Sequence, residues 1–182
     1  MGFHTFDPSR ADRLEDVSRF RFCSREELLG PLPREGTVLD LGSGTGFYTN
    51  EIASFVEHVV ALDVQPEMHD LYRENGVPAN VSLATAAAEA LPLRDGSIDG
   101  AFSTMTFHES TTDEALQDLC RVLAPGSPFV VVDWSARGNG ESGPPRAERF
   151  DGDQADELLT DAGFTVDHVA ERSETFSLVA RA

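Results

Sequence analysis

The chain has 182 residues, 40% of them hydrophobic, and a formal net charge of -18 with a pI near 4.4. That length fits one globular domain with a real core, and the composition excludes an intrinsically disordered chain. No apolar run approaches the roughly 20 residues of a membrane span, and no basic stripe is present to hold nucleic-acid phosphates.

Residues 1–36 form an N-terminal helical segment ahead of the first strand. Ser9 or Asp12 can cap a helix carrying Leu14 and Val17. Ser24 and Glu27 have the spacing of a capping box before Leu28 and Leu29, and Gly30-Pro31-Leu32-Pro33 breaks that helix. Phe3, Phe6, Phe20 and Phe22 give the segment an aromatic load that suits packing on the main sheet or a lid over a ligand. Residues 37–41 are apolar and read as a buried strand, which runs into Gly42, Gly44 and Gly46. A helix begins near Phe47 or Tyr48, with Phe47, Ile52, Phe55 and Val56 available for one face. Residues 59–64 are a second buried strand carrying Asp63, and Pro66 opens a helix that Gly76 stops.

Residues 80–85 read as a third strand, and residues 94–103 as a turn plus a fourth. Residues 104–110 should then lie at the carboxyl edge of the sheet, where open α/β folds bind ligands. A helix over 113–123 is stopped by Pro125-Gly126, and 128–134 is a fifth strand. Residues 135–149 are rich in Gly, Pro and charge and form a loop, a rim for a substrate opening. A helix over 151–162 precedes a final hairpin of 164–169 and 175–180. This order makes residues 37–182 a single α/β domain: a doubly wound, mostly parallel sheet with helices on both faces. A reversed last strand would make it seven-stranded.

All 14 basic residues are Arg. Self-repulsion at this charge calls for screening, so a halophilic, salt-adapted cytoplasm is the expected setting. The first eight residues lack a basic start and an apolar core, so no signal peptide is expected and a soluble cytoplasmic protein follows. Cys120 shares a helical face with Leu116, Leu119 and Leu123 and reads as core; Cys23 has no evident partner. Neither a disulfide framework nor metal-ligand spacing is present, and no metal is expected.

The glycine turn carries the chemistry. Glycine lets a backbone approach a ligand closely. A dinucleotide fingerprint would need its third glycine at the position of Phe47, whereas here it is Gly46, with Asp40 two residues before Gly42. Asp63, about 20 residues further on, can accept both hydroxyls of a ribose.

Val38-Leu39-Asp40-Leu41-Gly42-Ser43-Gly44-Thr45-Gly46 resembles the first motif of class I S-adenosylmethionine-dependent methyltransferases, and Ala61-Leu62-Asp63 the second. Ala88-Glu89-Ala90-Leu91-Pro92-Leu93, Asp95-Gly96-Ser97-Ile98-Asp99, Arg121-Val122-Leu123-Ala124-Pro125-Gly126 and Ala162-Gly163-Phe164 are similar to signatures of the type 11 small-molecule subgroup, which includes quinone-biosynthesis methyltransferases. Ala87 stands where many relatives have Asp, and Ser127 where a second Gly is usual. The resemblance implies a Rossmann-like methyltransferase fold, S-adenosylmethionine as cofactor, and an unidentified small-molecule acceptor. It also implies roles by position. Asp40 would face the methionine amino group, directly or through water. Gly42 and Gly44 would touch the amino-acid part, in a turn completed by Ser43 and Gly46. Asp63 would hold the ribose, and Val64 would pack on adenine, edged by Ala88 and Glu89. Thr104 and Met105 would line the approach to the methyl group.

Methyl transfer from a sulfonium is an in-line displacement, so alignment and exclusion of water do most of the catalysis. A base is useful only where the nucleophile must lose a proton. His108 and Glu109 are the candidates, with His4 from the lid. Against these stand a structural or solvated His108 and a surface or capping Glu109. Asp133 and Trp134 can shape the acceptor pocket, Trp134 more simply as packing. The alternatives are a S-adenosylmethionine-binding protein without transferase activity and an NAD-dependent oxidoreductase, which Phe47 and the absence of Lys disfavour. The acceptor atom and the oligomeric state are not encoded in any local pattern.

Overall fold

A computed structural model describes residues 6–182. Phe3 and His4 lie outside the described residues. Seven strands form one sheet: β1 (Thr37–Leu41), β2 (His58–Asp63), β3 (Val81–Thr85), β4 (Gly100–Thr104), β5 (Pro128–Trp134), β6 (Thr165–Glu171) and β7 (Thr175–Arg181). Their order is β3-β2-β1-β4-β5-β7-β6. The first five pair in parallel, while β7 runs antiparallel to both β5 and β6. The reversed last strand is therefore present, inserted between β5 and β6.

Among the described residues there are six α-helices, one before the first strand and five between strands: α1 (Arg25–Leu29), α2 (Phe47–Ala53), α3 (Pro66–Asn75), α4 (Phe107–Ser110), α5 (Asp113–Val122) and α6 (Gly152–Asp161). The capping box of α1 is present: Glu27 N–H donates to Ser24 Oγ, and Ser24 N–H donates to Glu27 Oε2. The two-residue period of the strands divides the core. Val38, Val59, Phe102, Val130 and Val132 face α1 and α2 through Leu28, Tyr48 and Ile52. Leu39, Leu41, Leu62, Phe129 and Val131 face α5 and α6 through Leu116, Leu119 and Leu159. Burying each such side chain stabilises the fold by about 1.5–3 kcal/mol, so this two-sided sandwich fixes the strand register and the position of every strand end.

The single helix expected around Leu14 and Val17 is instead two 3-10 stretches, Pro8–Glu15 and Val17–Arg21. Asp16 separates them: its backbone is extended and its carboxylate accepts from Ser18 N–H at 2.8 Å, so the chain restarts there. Val17 is 72% exposed. Phe55 lies beyond the end of α2 and is also exposed, whereas Val56 is buried. Cys120 packs against the α5 side of the core. Cys23 is fully buried and burial pushes its thiol up to about 12, so it is an inert packing residue rather than an available nucleophile.

Candidate active site

β1 and β4 lie side by side, yet α2 covers one face of the sheet and α5 the other. Such a divergence opens a crevice at the carboxyl ends of the strands. A cavity of about 600 Å³ occupies this edge, within the range of small-molecule sites.

One end of the cavity is built by the glycine turn. Gly42 and Ser43 donate their N–H groups to Leu62 O at 2.8 and 2.9 Å, which lays the turn across the end of β2. Gly44 N–H donates to Asp63 Oδ2 at 2.8 Å, and Gln65 N–H to Asp63 Oδ1 at 2.9 Å. Each Asp63 oxygen keeps a lone pair, and the residue lines the cavity. Burial raises the Asp63 pKa against the effect of these two N–H groups. Gly46 adopts φ +89, and a Cβ there would lie 2.1 Å from the Tyr72 ring, so only glycine starts α2 in this way. Val64, beside Asp63, leaves an apolar side chain 51% exposed on the cavity wall.

The other end is built where β4 and β5 stop. Met105 turns the chain out of β4 with φ +59, the one described non-glycine residue with positive φ, and its N–H donates to Val132 O at 2.8 Å. The short helix α4 follows. Asp133, fully buried at the end of β5, accepts His108 N–H at 2.6 Å and lies 2.9 Å from His108 Nδ1. It also accepts Trp134 N–H at 2.7 Å. His108 Nε2 stands 3.7 Å from Glu109 Oε1, beyond hydrogen-bond range. Burial opposes charging His108, but the Asp133 charge and hydrogen bond prevail, and its pKa is raised. Burial pushes the Glu109 carboxyl up to about 7. Trp134 meets Phe22 edge-on with ring centroids 4.7 Å apart, and both line the cavity.

The N-terminal segment also lines this edge. Phe6, Arg10, Arg13, Leu14, Arg19 and Phe22 all reach the cavity. Gln65 Nε2 donates to Phe6 O at 3.1 Å, and Arg19 lies over the rings of Phe47 and Tyr48 at 5.1 and 4.9 Å. The three arginines escaped the sequence reading because nothing in their spacing ties them to the sheet edge.

Of the residues expected at the site, Gly42, Ser43, Gly44, Asp63, Val64 and Ala88 line the cavity. So do Thr104, Met105, His108 and Glu109. Asp40, Gly46 and Glu89 do not. Asp40 sits on the Val38 side of β1, beneath α2, where Thr49 Oγ1 donates to its Oδ2 at 2.6 Å. Its Oδ1 has no partner, and burial pushes its carboxyl up to about 7. It supports the turn from behind and does not itself line the cavity. Gly46 is spent on Tyr72, and Glu89 lies half-buried in the turn after β3.

A family model described as a methyltransferase domain, of type 11, matches residues 39–131, half of the chain. The chain belongs to the type 11 methyltransferase family. A S-adenosylmethionine-dependent methyltransferase from Aquifex aeolicus is 32% identical, with a TM-score of 0.87 over 97% of this chain and 98% of that one. An uncharacterized methyltransferase-like protein of Schizosaccharomyces pombe is 38% identical over 101 residues, 55% of this chain and 38% of that protein. The ubiquinone/menaquinone biosynthesis C-methyltransferase of Vibrio campbellii is 36% identical over 106 residues, 54% of this chain and 41% of that protein. The matched stretch thus spans about two fifths of the length of these curated relatives. S-adenosylmethionine is the cofactor of this methyltransferase family. The cavity fits it: side-chain-free glycines at the turn, a carboxylate with open lone pairs, and an exposed apolar residue beside that carboxylate. No described helix is long and apolar enough to cross a membrane, and no described group of three or more His, Cys, Asp or Glu residues could hold a metal ion.

Proposed function

We propose that this methyltransferase moves a methyl group from S-adenosylmethionine to a small-molecule acceptor held at the His108 end of its cavity. The supporting observation is the doubly tied Asp63 carboxylate, which holds Gly44 and still presents acceptor positions to the cavity. In this reading Asp63 takes the ribose hydroxyls and Val64 packs on adenine. Ala88 edges the ring, and backbone groups replace the side chain missing at Ala87. Gly42, Ser43 and Gly44 approach the amino-acid part. Thr104 and Met105 border the methyl position. Residues 6–22 act as a lid that excludes water, which matters because alignment away from bulk solvent carries most of the rate. The bound cofactor supplies an electrophilic methyl on a positively charged sulfur.

Calorimetric titration with S-adenosylmethionine tests the assignment. Asp63→Ala should weaken binding about 10- to 100-fold, the equivalent of 1.5–3 kcal/mol for hydrogen bonds to a charged group. Unchanged affinity would remove the basis of the site.

We also infer a salt-rich, cytoplasmic setting. The support is a net charge of -18 with Arg as the sole basic residue type. Thermal melts from low to multimolar KCl should show rising stability as carboxylate repulsion is screened. A flat series would reject this setting.

A further inference from the structure

Asp133 and His108 form a pair that methyl transfer as such does not require. Asp133 is fully buried, does not line the cavity, and directs its carboxylate at the His108 Nδ1 side. The His108 side chain is only 6% exposed, yet the residue lines the cavity. With Nδ1–H donated to Asp133, Nε2 is the free, basic nitrogen. The nearest polar atom recorded for it, Glu109 Oε1 at 3.7 Å, is too far to occupy it. A carboxylate bonded to one nitrogen of an imidazole on a cavity wall is the arrangement that holds one tautomer and makes the ring a stronger base.

The surroundings suit a flat, largely apolar acceptor. Trp134 and Phe22 meet edge-on at this end, with Met105 and Pro144 also on the wall. We propose that His108 is the general base of the transfer, positioned by Asp133, and that the acceptor is a weakly acidic hydroxyl compound of phenol or enol type. The proposal rests on the methyl-transfer reading above. The acceptor O–H proton passes to His108 Nε2. The acceptor oxygen forms its bond to the methyl carbon as the carbon–sulfur bond breaks, and sulfur keeps that electron pair. The Asp133 carboxylate, 2.9 Å from Nδ1, stabilises the imidazolium. Three charged groups bear on His108: Asp133 from β5 and Glu109 from α4, both raising its basicity, and Arg149 from the loop after β5, lowering it.

Two readouts test the pair. The first is imidazole NMR on the full chain without ligands. The neutral ring should carry its proton on Nδ1, and its titration midpoint should lie above the ordinary value of about 6.5. Asp133→Asn should lower that midpoint. A midpoint at or below about 6.5 in the wild type, or an Nε2–H ring, overturns the proposal.

The second is release of S-adenosylhomocysteine with phenol and 4-nitrophenol at pH 8, where only the latter is largely ionised. His108→Gln should slow phenol by about 100-fold or more, the usual contribution of a general base, and 4-nitrophenol by less than about tenfold. For Asp133→Asn the rising limb of the pH–rate profile should move to lower pH, a shift that loss of packing alone does not produce. Equal losses on both phenols, or no release from either, overturns the proposal. Calorimetric binding of S-adenosylmethionine to the wild type and to His108→Gln separates this failure from failure of the methyl-transfer reading, because only the latter predicts lost wild-type binding.

Discussion

The cofactor end and the acceptor end of the cavity are made in different ways. The first comes from short runs of sequence. Residues 40–46 form the turn and its support, 63–65 supply the carboxylate and its second N–H, and 86–88 add the edge. The second is assembled from pieces far apart in the chain: Phe22, Met105, His108, Asp133, Trp134 and Pro144. The first end joins short runs on neighbouring strands, as where Gly44 N–H meets Asp63 at the end of β2. The second exists only because the register of β4 against β5 brings residues 25 positions apart within hydrogen-bond range.

This contrast can be pressed by substitution. The largest effect should come from Gly46→Ala. A side chain at φ +89 costs about 1–2 kcal/mol, and the collision with Tyr72, held by its hydroxyl's 2.7 Å bond to Asn50, adds about 1–3 kcal/mol. Urea unfolding should show a loss of about 2–5 kcal/mol, with cofactor affinity falling alongside it. A tolerated Ala would mean that the turn is not held against Tyr72 as the structure has it.

Arg149→Ala should come next, and should strike the acceptor end alone. Arg149 is 6% exposed and donates to the carbonyls of Ser135, Ser142 and Pro144, with Glu174 3.8 Å away. Removing it leaves the Ser142 and Pro144 carbonyls without their donor and takes the nearby positive charge from buried Glu174, a loss of about 3 kcal/mol. Residues 135–149 should lose amide-exchange protection while the bound fraction keeps its S-adenosylmethionine affinity. A matching loss of that affinity would show that the two ends are not separate.

The smallest effect should come from Asp40→Asn. Because the folded pKa of Asp40 is raised to about 7, the folded state holds a proton that the unfolded chain releases near 4. The stabilisation by that proton is present below the unfolded pKa and is lost as pH rises through about 7. The variant has no such proton to lose. Its melting temperature should therefore fall less between pH 4 and 7 than that of the wild type. Parallel slopes would place Asp40 in a more solvated position than the structure gives it.

The two ends also differ in how legible they are. The alternation of Val38, Leu39 and Leu41, the glycine spacing, and Asp63 at a strand end all follow from local backbone rules, and the seven strands are where their patterns put them. The same alternation, applied to Asp40, places it on the Val38 side and under α2, where Thr49 meets it. In the N-terminal segment apolar spacing predicts an ordinary helix, because it does not register an extended Asp16 between two short stretches. His108 was identified from its place after the fourth strand, but Asp133 could not be recognised as its partner. Pairing across β4 and β5 depends on register, and no short-range pattern encodes it. The arginines at the rim are invisible for the same reason.

The loop between β5 and α6 is full of glycine and proline, yet it is stitched down along its length. Asn139 donates to Ser173 O, Gly140 and Glu141 donate to Glu174, and Gly143 lies so close to Trp134 that a Cβ would be 2.5 Å from its ring. A border fastened at so many points does not mould itself around a guest. Selection among acceptors is then made by an aperture of set size. Homologous compounds should pass or be refused abruptly as they grow by one ring, and a new preference would require this border to be recut, since it will not stretch.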